Sequence, residues 1–160
     1  MLQKEGSVVS DHAPFQIGIA GWHDLNDLRK LEVICFEEDS WPLWDLVAVL
    51  TLPKIVHLKA TIDGKMVGFI AGDPHSREGV GWIATLGVLP QYRRMGIAAA
   101  LLEQCELELH LPRIRLSVRR SNESALALYR KFDYKMVDVW RNYYHGGEDA
   151  LVLEKSVNFS

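Results

Sequence analysis

Hydrophobic residues recur along this chain with two periods, one near two and one near 3.6, and the switches between them mark out its elements. Residues 15–20 alternate as a strand does. From Asp24, a plausible N-cap, Leu25, Leu28, Leu31 and Cys35 fall at three- and four-residue spacing, which predicts a helix to about Phe36. The polar run Glu37-Glu38-Asp39-Ser40 interrupts it. Pro42 suits the first turn of a second helix, whose Leu43, Leu46, Val47 and Leu50 share one face, and Pro53 ends it. Residues 55–62 and 66–71 read as two strands joined across Asp63-Gly64-Lys65, a strong hairpin signal. A polar loop over residues 72–79 is expected to follow, then a strand over residues 80–88.

The second half repeats the alternation of periods. Ile97, Leu101 and Cys105 lie on one helical face with Ala98, Leu102 and Leu109 beside them. Glu103, Glu106 and Glu108 are placed on the other side, and Pro112 stops the helix. In residues 113–119, Ile114, Leu116 and Val118 face one way and Arg115, Ser117 and Arg119 the other. Ser121 or Asn122 caps a short helix carrying Ala125, Leu128, Tyr129 and Phe132. Residues 134–144 and 149–153 close as a hairpin over His145-Gly146-Gly147. Residues 1–14 are polar and aperiodic and are expected to be a flexible tail, leaving 15–160 as one domain. The order β-α-α-β-β-β-α-β-α-β-β predicts an α/β chain with a mixed sheet and helices on its faces.

The stretch between the fourth strand and the third helix carries the first chemistry. Val88-Leu89-Pro90-Gln91-Tyr92-Arg93-Arg94-Met95-Gly96-Ile97-Ala98 runs from an apolar strand through a basic turn directly into a helix. Such a junction leaves backbone N–H groups unpaired at the positive end of the helix dipole, a ready cradle for phosphate. Gly96 and Ala98 remove side chains where a diphosphate would come close. The turn lacks the Gly-Lys-Ser/Thr of the nucleotide-triphosphate loop and the three spaced glycines of the dinucleotide fingerprint.

Composition removes other classes. The 160 residues suffice for one substantial core, and 48% hydrophobic with 24% charged residues is ordinary for a soluble domain. A net charge of -3 argues against a general nucleic-acid binder. Cys35 and Cys105 sit in helical patterns and read as buried free thiols of a reducing compartment. No signal peptide and no membrane span is legible, so a cytoplasmic location is expected. The histidines (12, 23, 57, 75, 110 and 145) show no metal-ligand spacing, and Ser7, Ser10, Ser76 and Ser121 stand in no nucleophile-elbow context. Neither a metal nor a covalent enzyme intermediate is expected.

Arg93-x-x-Gly96-x-Ala98 resembles the Gln/Arg-x-x-Gly-x-Gly/Ala signature of the GNAT N-acetyltransferases. A second segment, 26 residues after Gly96, is similar to the Asn-x-x-Ala-x-x-x-Tyr segment of the same superfamily: Asn122, Ala125 and Tyr129. The resemblance implies the GNAT acyl-CoA N-acyltransferase fold and acetyl-CoA as co-substrate. It places that co-substrate on Leu86, Gly87, Val88, Arg93, Arg94, Met95, Gly96, Ile97, Ala98, Asn122 and Tyr129. Tyr129 would assist the departing thiolate, since a phenol of pKa near 10 can give it a proton or hydrogen bond. Residues 35–42 resemble the first interhelix loop of acetyltransferases that modify protein N-termini, and residues 141–144 with 148–150 resemble their last hairpin. By that likeness Phe36, Trp41, Trp82, Tyr143 and Tyr144 would meet an amine acceptor, either a peptide N-terminus or a small amine. For Tyr143 and Tyr144 simple cross-strand packing stands as an equal reading. For Glu37 to Asp39 the readings are a solvated loop or an acidic rim that draws in an ammonium.

Two positions leave the pattern. Where relatives carry a basic glutamate or histidine, twelve residues before the tyrosine, this chain has Ser117, and where some carry a tyrosine it has Trp82. Neither can act directly as a base. An α-amino group of pKa about 7.7–8.0 is roughly 10–15% neutral at pH 7 and a lysine side chain about 0.04%, so a weak base suits the first amine far better. Ser117 is expected to hold a water that passes the proton on. The alternatives kept open are a small-molecule amine acetyltransferase, on a polyamine or amino-sugar, and a non-catalytic acyl-CoA-binding domain. A monomer or homodimer is expected.

Overall fold

The computed structural model describes residues 14–159. The expected tail therefore lies outside the described residues except for Pro14, which sits in a bend before the first strand. The strands are β1 (Gln16–Ile19), β2 (Val56–Ile62), β3 (Lys65–His75), β4 (Val80–Val88), β5 (Arg113–Arg119), β6 (Lys135–Trp140) and β7 (Ala150–Ser156). The helices are α1 (Leu25–Phe36), α2 (Leu43–Thr51), α3 (Ile97–Leu109) and α4 (Glu123–Lys131). The predicted element order is the observed one.

One seven-stranded sheet runs β1-β2-β3-β4-β5-β7-β6. Its neighbours are antiparallel except β4 and β5, which are parallel and pair only at Val80↔Arg113, Gly81↔Ile114 and Trp82↔Arg115. Beyond Trp82 the two strands separate, so the middle of the sheet opens into a splay. Helix α3 packs on one face, where Leu101, Leu102 and Cys105 join Val67, Ile70, Ile114 and Leu116 in the larger core. Helices α1 and α2 cover the other, where Leu28, Leu31 and Leu46 meet Phe69 and Ala71. With both faces covered, β3 is buried without a break from Met66 to Gly72, as a doubly covered strand should be. A Cβ on Gly72 would stand 2.7 Å from Cys105 Sγ and 3.0 Å from Leu109 Cδ1, so its absence lets α3 sit against the sheet.

Several sequence expectations are corrected here. The loop assigned to residues 72–79 is strand as far as His75, with Pro74 opposite Gly81. Pairing with β2 ends at Val56↔Gly72, so Pro74 stands where β3 has only β4 as neighbour and its missing N–H costs no ladder bond. Pro42 directly precedes α2 instead of lying in its first turn. Asp24 precedes α1 but its side chain does not cap it; Oδ2 accepts from the Gly21 amide at 2.8 Å and both oxygens from Lys59 Nζ at 2.9 Å. Burial works to raise the Asp24 pKa, and those two partners outweigh it and hold the carboxyl below its ordinary value. Glu106 is buried instead of facing solvent, because Tyr134 Oη donates to it at 2.9 Å and Lys155 Nζ at 2.8 Å. The last hairpin is shorter on β6, which stops at Trp140, since Asn142 (φ 53°), Gly146 and Gly147 carry the chain through left-handed conformations.

Candidate active site

The β4–α3 junction has the geometry of an anion cradle. A tight turn over Pro90–Tyr92 leads to Arg94 (φ 64°) and Gly96 (φ 82°), and α3 begins at Ile97 with no side chain capping it. The first helical bond to Gly96 O comes from the Ala100 amide at 3.0 Å, so the amides just before it have no partner along the helix. A Cβ on Gly96 would meet nothing within 4 Å, and its positive φ is what demands glycine. Arg93 folds back on the end of β4: Nε donates to Val88 O at 3.1 Å.

A cavity of about 770 Å³ starts at this cradle and runs into the splay. Leu86, Gly87 and Val88 line it from β4, Arg93, Arg94, Gly96, Ile97 and Ala98 from the junction, and Asn122 and Tyr129 from the α4 side. Of the residues assigned to the co-substrate by sequence, Met95 is the one that does not line it; it is exposed. Cys35, Tyr92, Ala99, Ser124, Leu128 and Lys131 also line it, and sequence reasoning did not name them for this role. Ser124, Leu128 and Lys131 lie within the α4 segment that carried the second motif. Asn122 settles the capping question, its Oδ1 accepting from the Ala125 amide at 3.2 Å. At β4 the Leu89 amide donates across to Val67 O at 2.9 Å. By the alternation of a ladder, Val88 turns its own N–H and C=O to the opposite, open edge. Its carbonyl confirms this, accepting from Arg93 Nε and, at 3.5 Å, from Cys35 Sγ.

Tyr129 lies on α4 with its ring buried in the core and the cavity at its side. Burial first, and the neighbouring Tyr144 phenol second, push its pKa above the ordinary tyrosine range, so it stays protonated at neutral pH. Cys35 is likewise raised by burial, and Cys105 is pushed up to about 12, chiefly by burial; both thiols are free, Cys105 buried and Cys35 half-buried.

The face toward α1 and α2 carries the remaining expected residues. Gly81 and Ile83 turn to α3, so Trp82 between them faces the other way, as do Arg115, Ser117 and Arg119 of β5. Trp82 stacks on Trp140 (5.8 Å between centroids), Trp140 meets Tyr143 (5.1 Å), and Tyr143 meets Tyr144 edge-on (5.0 Å). Tyr144 Oη donates to Ser117 Oγ at 3.3 Å. Phe36 stands at the cavity itself, beside Gly87, whereas Trp41 packs against the α1–α2 core and joins none of these rings. Sequence reasoning missed Trp140 and the charged cluster next to it. Arg115 is taken by Glu154 at 2.5 Å, and Arg119 by Asp39 and Glu148. The polar alternation of β5 was a signal for Arg119, but nothing local named its partners. Asp39 is thus paired to Arg119, while Glu37 and Glu38 are exposed. Among the described residues no group of three or more His, Cys, Asp or Glu is arranged to hold a metal, and no helix is long and apolar enough to cross a membrane.

An open splay with an uncapped helix start at one end and a phenol at its side marks a protein with a cleft for a long anionic ligand. The profile of the Acetyltransferase (GNAT) family matches residues 22–134. An N-alpha-acetyltransferase of Sulfurisphaera tokodaii is 30% identical, covering 87% of this chain and 91% of its own. The catalytic subunit NAA10 of the N-terminal acetyltransferase A complex of Arabidopsis thaliana is 29% identical, over 84% and 73%. Among solved structures, the ribosomal-protein-S18-alanine N-acetyltransferase of Escherichia coli superposes with a TM-score of 0.82 at 25% identity, covering 91% and 96%. Arabidopsis thaliana Naa50 in complex with a bisubstrate analogue gives 0.79 at 26%, covering 91% and 100%. The chain belongs to the GNAT acetyltransferase family.

Proposed function

We propose that this protein transfers the acetyl group of acetyl-CoA to the α-amino group of a peptide or protein N-terminus. The observation that carries the donor half is the cavity: it joins an amide cradle flanked by Arg93 and Arg94 to the splay beside Tyr129, and its size suits a cofactor pocket. The residues present fit acetyl-CoA. Backbone amides at Gly96 to Ala98 and the two arginines would hold the diphosphate, the open edge of β4 at Leu86 and Val88 would pair with the pantetheine arm as a strand does, and Asn122 would flank it. The group supplies an acetyl thioester already activated for attack. By the same alternation Leu86 and Val88 both turn an N–H to the open edge, so one can pair with the arm while the other holds negative charge developing on an acyl oxygen. Tyr129, kept neutral by its surroundings, gives the leaving thiolate a hydrogen bond, and the thiolate takes its proton from solvent.

The acceptor reading rests on three supports. Both N-alpha-acetyltransferase relatives align over most of this chain. Tyr143 keeps 56% of its surface exposed, which leaves room beside it for a chain longer than a small amine. Ser117 offers no strong base, which favours an amine that is partly neutral at pH 7. Its Oγ accepts from Tyr144 and keeps a second lone pair and its own hydrogen for a water, through which the proton leaves. In this reading the enzyme works in the cytoplasm as a monomer or homodimer, its partner a peptide chain and not a nucleic acid.

Steady-state release of CoA, measured with a panel of free-N-terminal peptides, polyamines and amino-sugars, tests this. Turnover with peptides well above that with small amines is expected. Preference for a polyamine or amino-sugar overturns the acceptor assignment. Tight acetyl-CoA binding with no release for any amine makes the protein a binding module instead.

A further inference from the structure

Arg119 ends β5 on the acceptor face and reaches in three directions. Its Nε donates to Asp39 Oδ2 at 2.6 Å, Nη1 to Glu148 Oε1 at 3.4 Å, and Nη2 to the His145 carbonyl at 3.2 Å. Its guanidinium carbon also lies 4.8 Å from the centre of the Tyr144 ring. Asp39 belongs to the turn after α1, three residues beyond the Phe36 that lines the cavity. His145 and Glu148 belong to the loop between β6 and β7, which also holds Tyr143 and Tyr144. Glu148 is held in turn by Ser121 Oγ at 2.5 and 2.7 Å. No sheet ladder joins these loops: β6–β7 pairing stops at Trp140↔Ala150, and the turn after α1 pairs with no strand. One guanidinium on the strand between them therefore connects both.

We propose that Arg119 is a positioning residue for the acceptor: its planar fork sets the spacing of the two loops that flank Ser117 and so the fit of the amine-bearing chain, without touching the donor cavity. This rests on the acetyltransferase reading above. The geometry needs a fork more than a charge, because one flat group must satisfy a carboxylate on each side and stack on Tyr144 at once. Its loss has two opposed consequences. Asp39 and Glu148 lose their shared cation on facing loops, which spreads the walls and weakens acceptor binding. The same two carboxylates also make the site more negative, which by itself attracts an ammonium. The sign of the change in acceptor KM separates them.

The full chain is compared as wild type, Arg119→Gln, Arg119→Lys, Asp39→Asn and the Arg119→Gln/Asp39→Asn double variant, with the best acceptor peptide. Acceptor KM should rise about five- to tenfold in Arg119→Gln with acetyl-CoA KM unchanged, and Arg119→Lys should recover only part of it. The double variant should be no worse than the poorer single one. A fall in acceptor KM, equal changes for both substrates, or additive single effects overturn the inference. Amide hydrogen exchange gives a readout independent of turnover. Arg119→Gln should speed exchange in residues 37–41 and 142–149 together, and unchanged exchange in either loop overturns the tie. An absence of acetyl transfer by wild type would instead strike the functional reading, with the exchange result still deciding whether the two loops are joined.

Discussion

Tyr129 and Ser117, the two residues proposed for the chemistry, lie toward opposite faces of one sheet. A phenol pushed upward by burial cannot serve as a base near neutrality, so its chemical use is as a donor. Tyr129→Phe should lower kcat by about a hundredfold while acetyl-CoA KM moves little, since the ring and its packing remain. The reverse split, measured in initial-rate kinetics, removes the donor role. Ser117 is expected to act only through water. Ser117→Ala should lower kcat and alter the alkaline-going limb of its pH profile, and an unchanged rate and profile would exclude it from the proton path. Both residues were named by sequence. That Tyr144 donates to Ser117 was not legible, because 27 residues, including α4 and β6, separate them.

At the scale of elements, the β4–α3 junction concentrates the proposed donor site in a few consecutive residues. Gly96 holds φ 82° in open space, so an added methyl group meets strain and no clash. Gly96→Ala should therefore cost about 1 kcal/mol of stability, read by chemical denaturation, and raise acetyl-CoA KM by shifting the amides of the cradle. An unchanged acetyl-CoA KM with reduced stability would detach the cradle from the co-substrate. The splay is the complementary element. It arises because parallel pairing of β4 and β5 covers only three residue pairs, after which each strand follows its own antiparallel neighbour.

Across the whole molecule, one buried carboxyl links the sheet to the α1 layer. Glu32 is 1% exposed; Thr85 Oγ1 of β4 donates to its Oε1 at 2.9 Å, and Oε2 is buried with no partner among the described residues. Burial raises its pKa above the ordinary 4.5, outweighing the opposing pull of Thr85 and of the Trp41 backbone. A carboxyl whose folded pKa is raised stabilises the fold fully below its unfolded pKa and loses that contribution as pH climbs through the folded value. Glu32→Gln keeps an oxygen for Thr85 and cannot ionise. The Tm of wild type should consequently fall relative to the variant as pH rises from 4.5 through that raised value. A constant difference across that range would mean Glu32 does not titrate in the fold.

What was readable in the chain follows from how local each feature is. Element order, the cradle at Arg93 to Ala98 and the Asn122-to-Tyr129 segment are contiguous, and period, glycine placement and turn chemistry act over a few residues. The errors were those of context: strand beyond Gly72 is allowed by an edge left free when β2 ends, and Glu106 is buried because Tyr134 and Lys155 come from distant segments to receive it. By itself the sequence determined the fold class and named the residues of the proposed donor site, since a diphosphate cradle is built from one turn's own backbone. Only the tertiary structure decided how the residues proposed for the acceptor side are arranged. There Trp82 meets Trp140, and Arg119 meets Asp39 across 80 residues of chain, contacts that exist because the sheet order β4-β5-β7-β6 brings those side chains to one face.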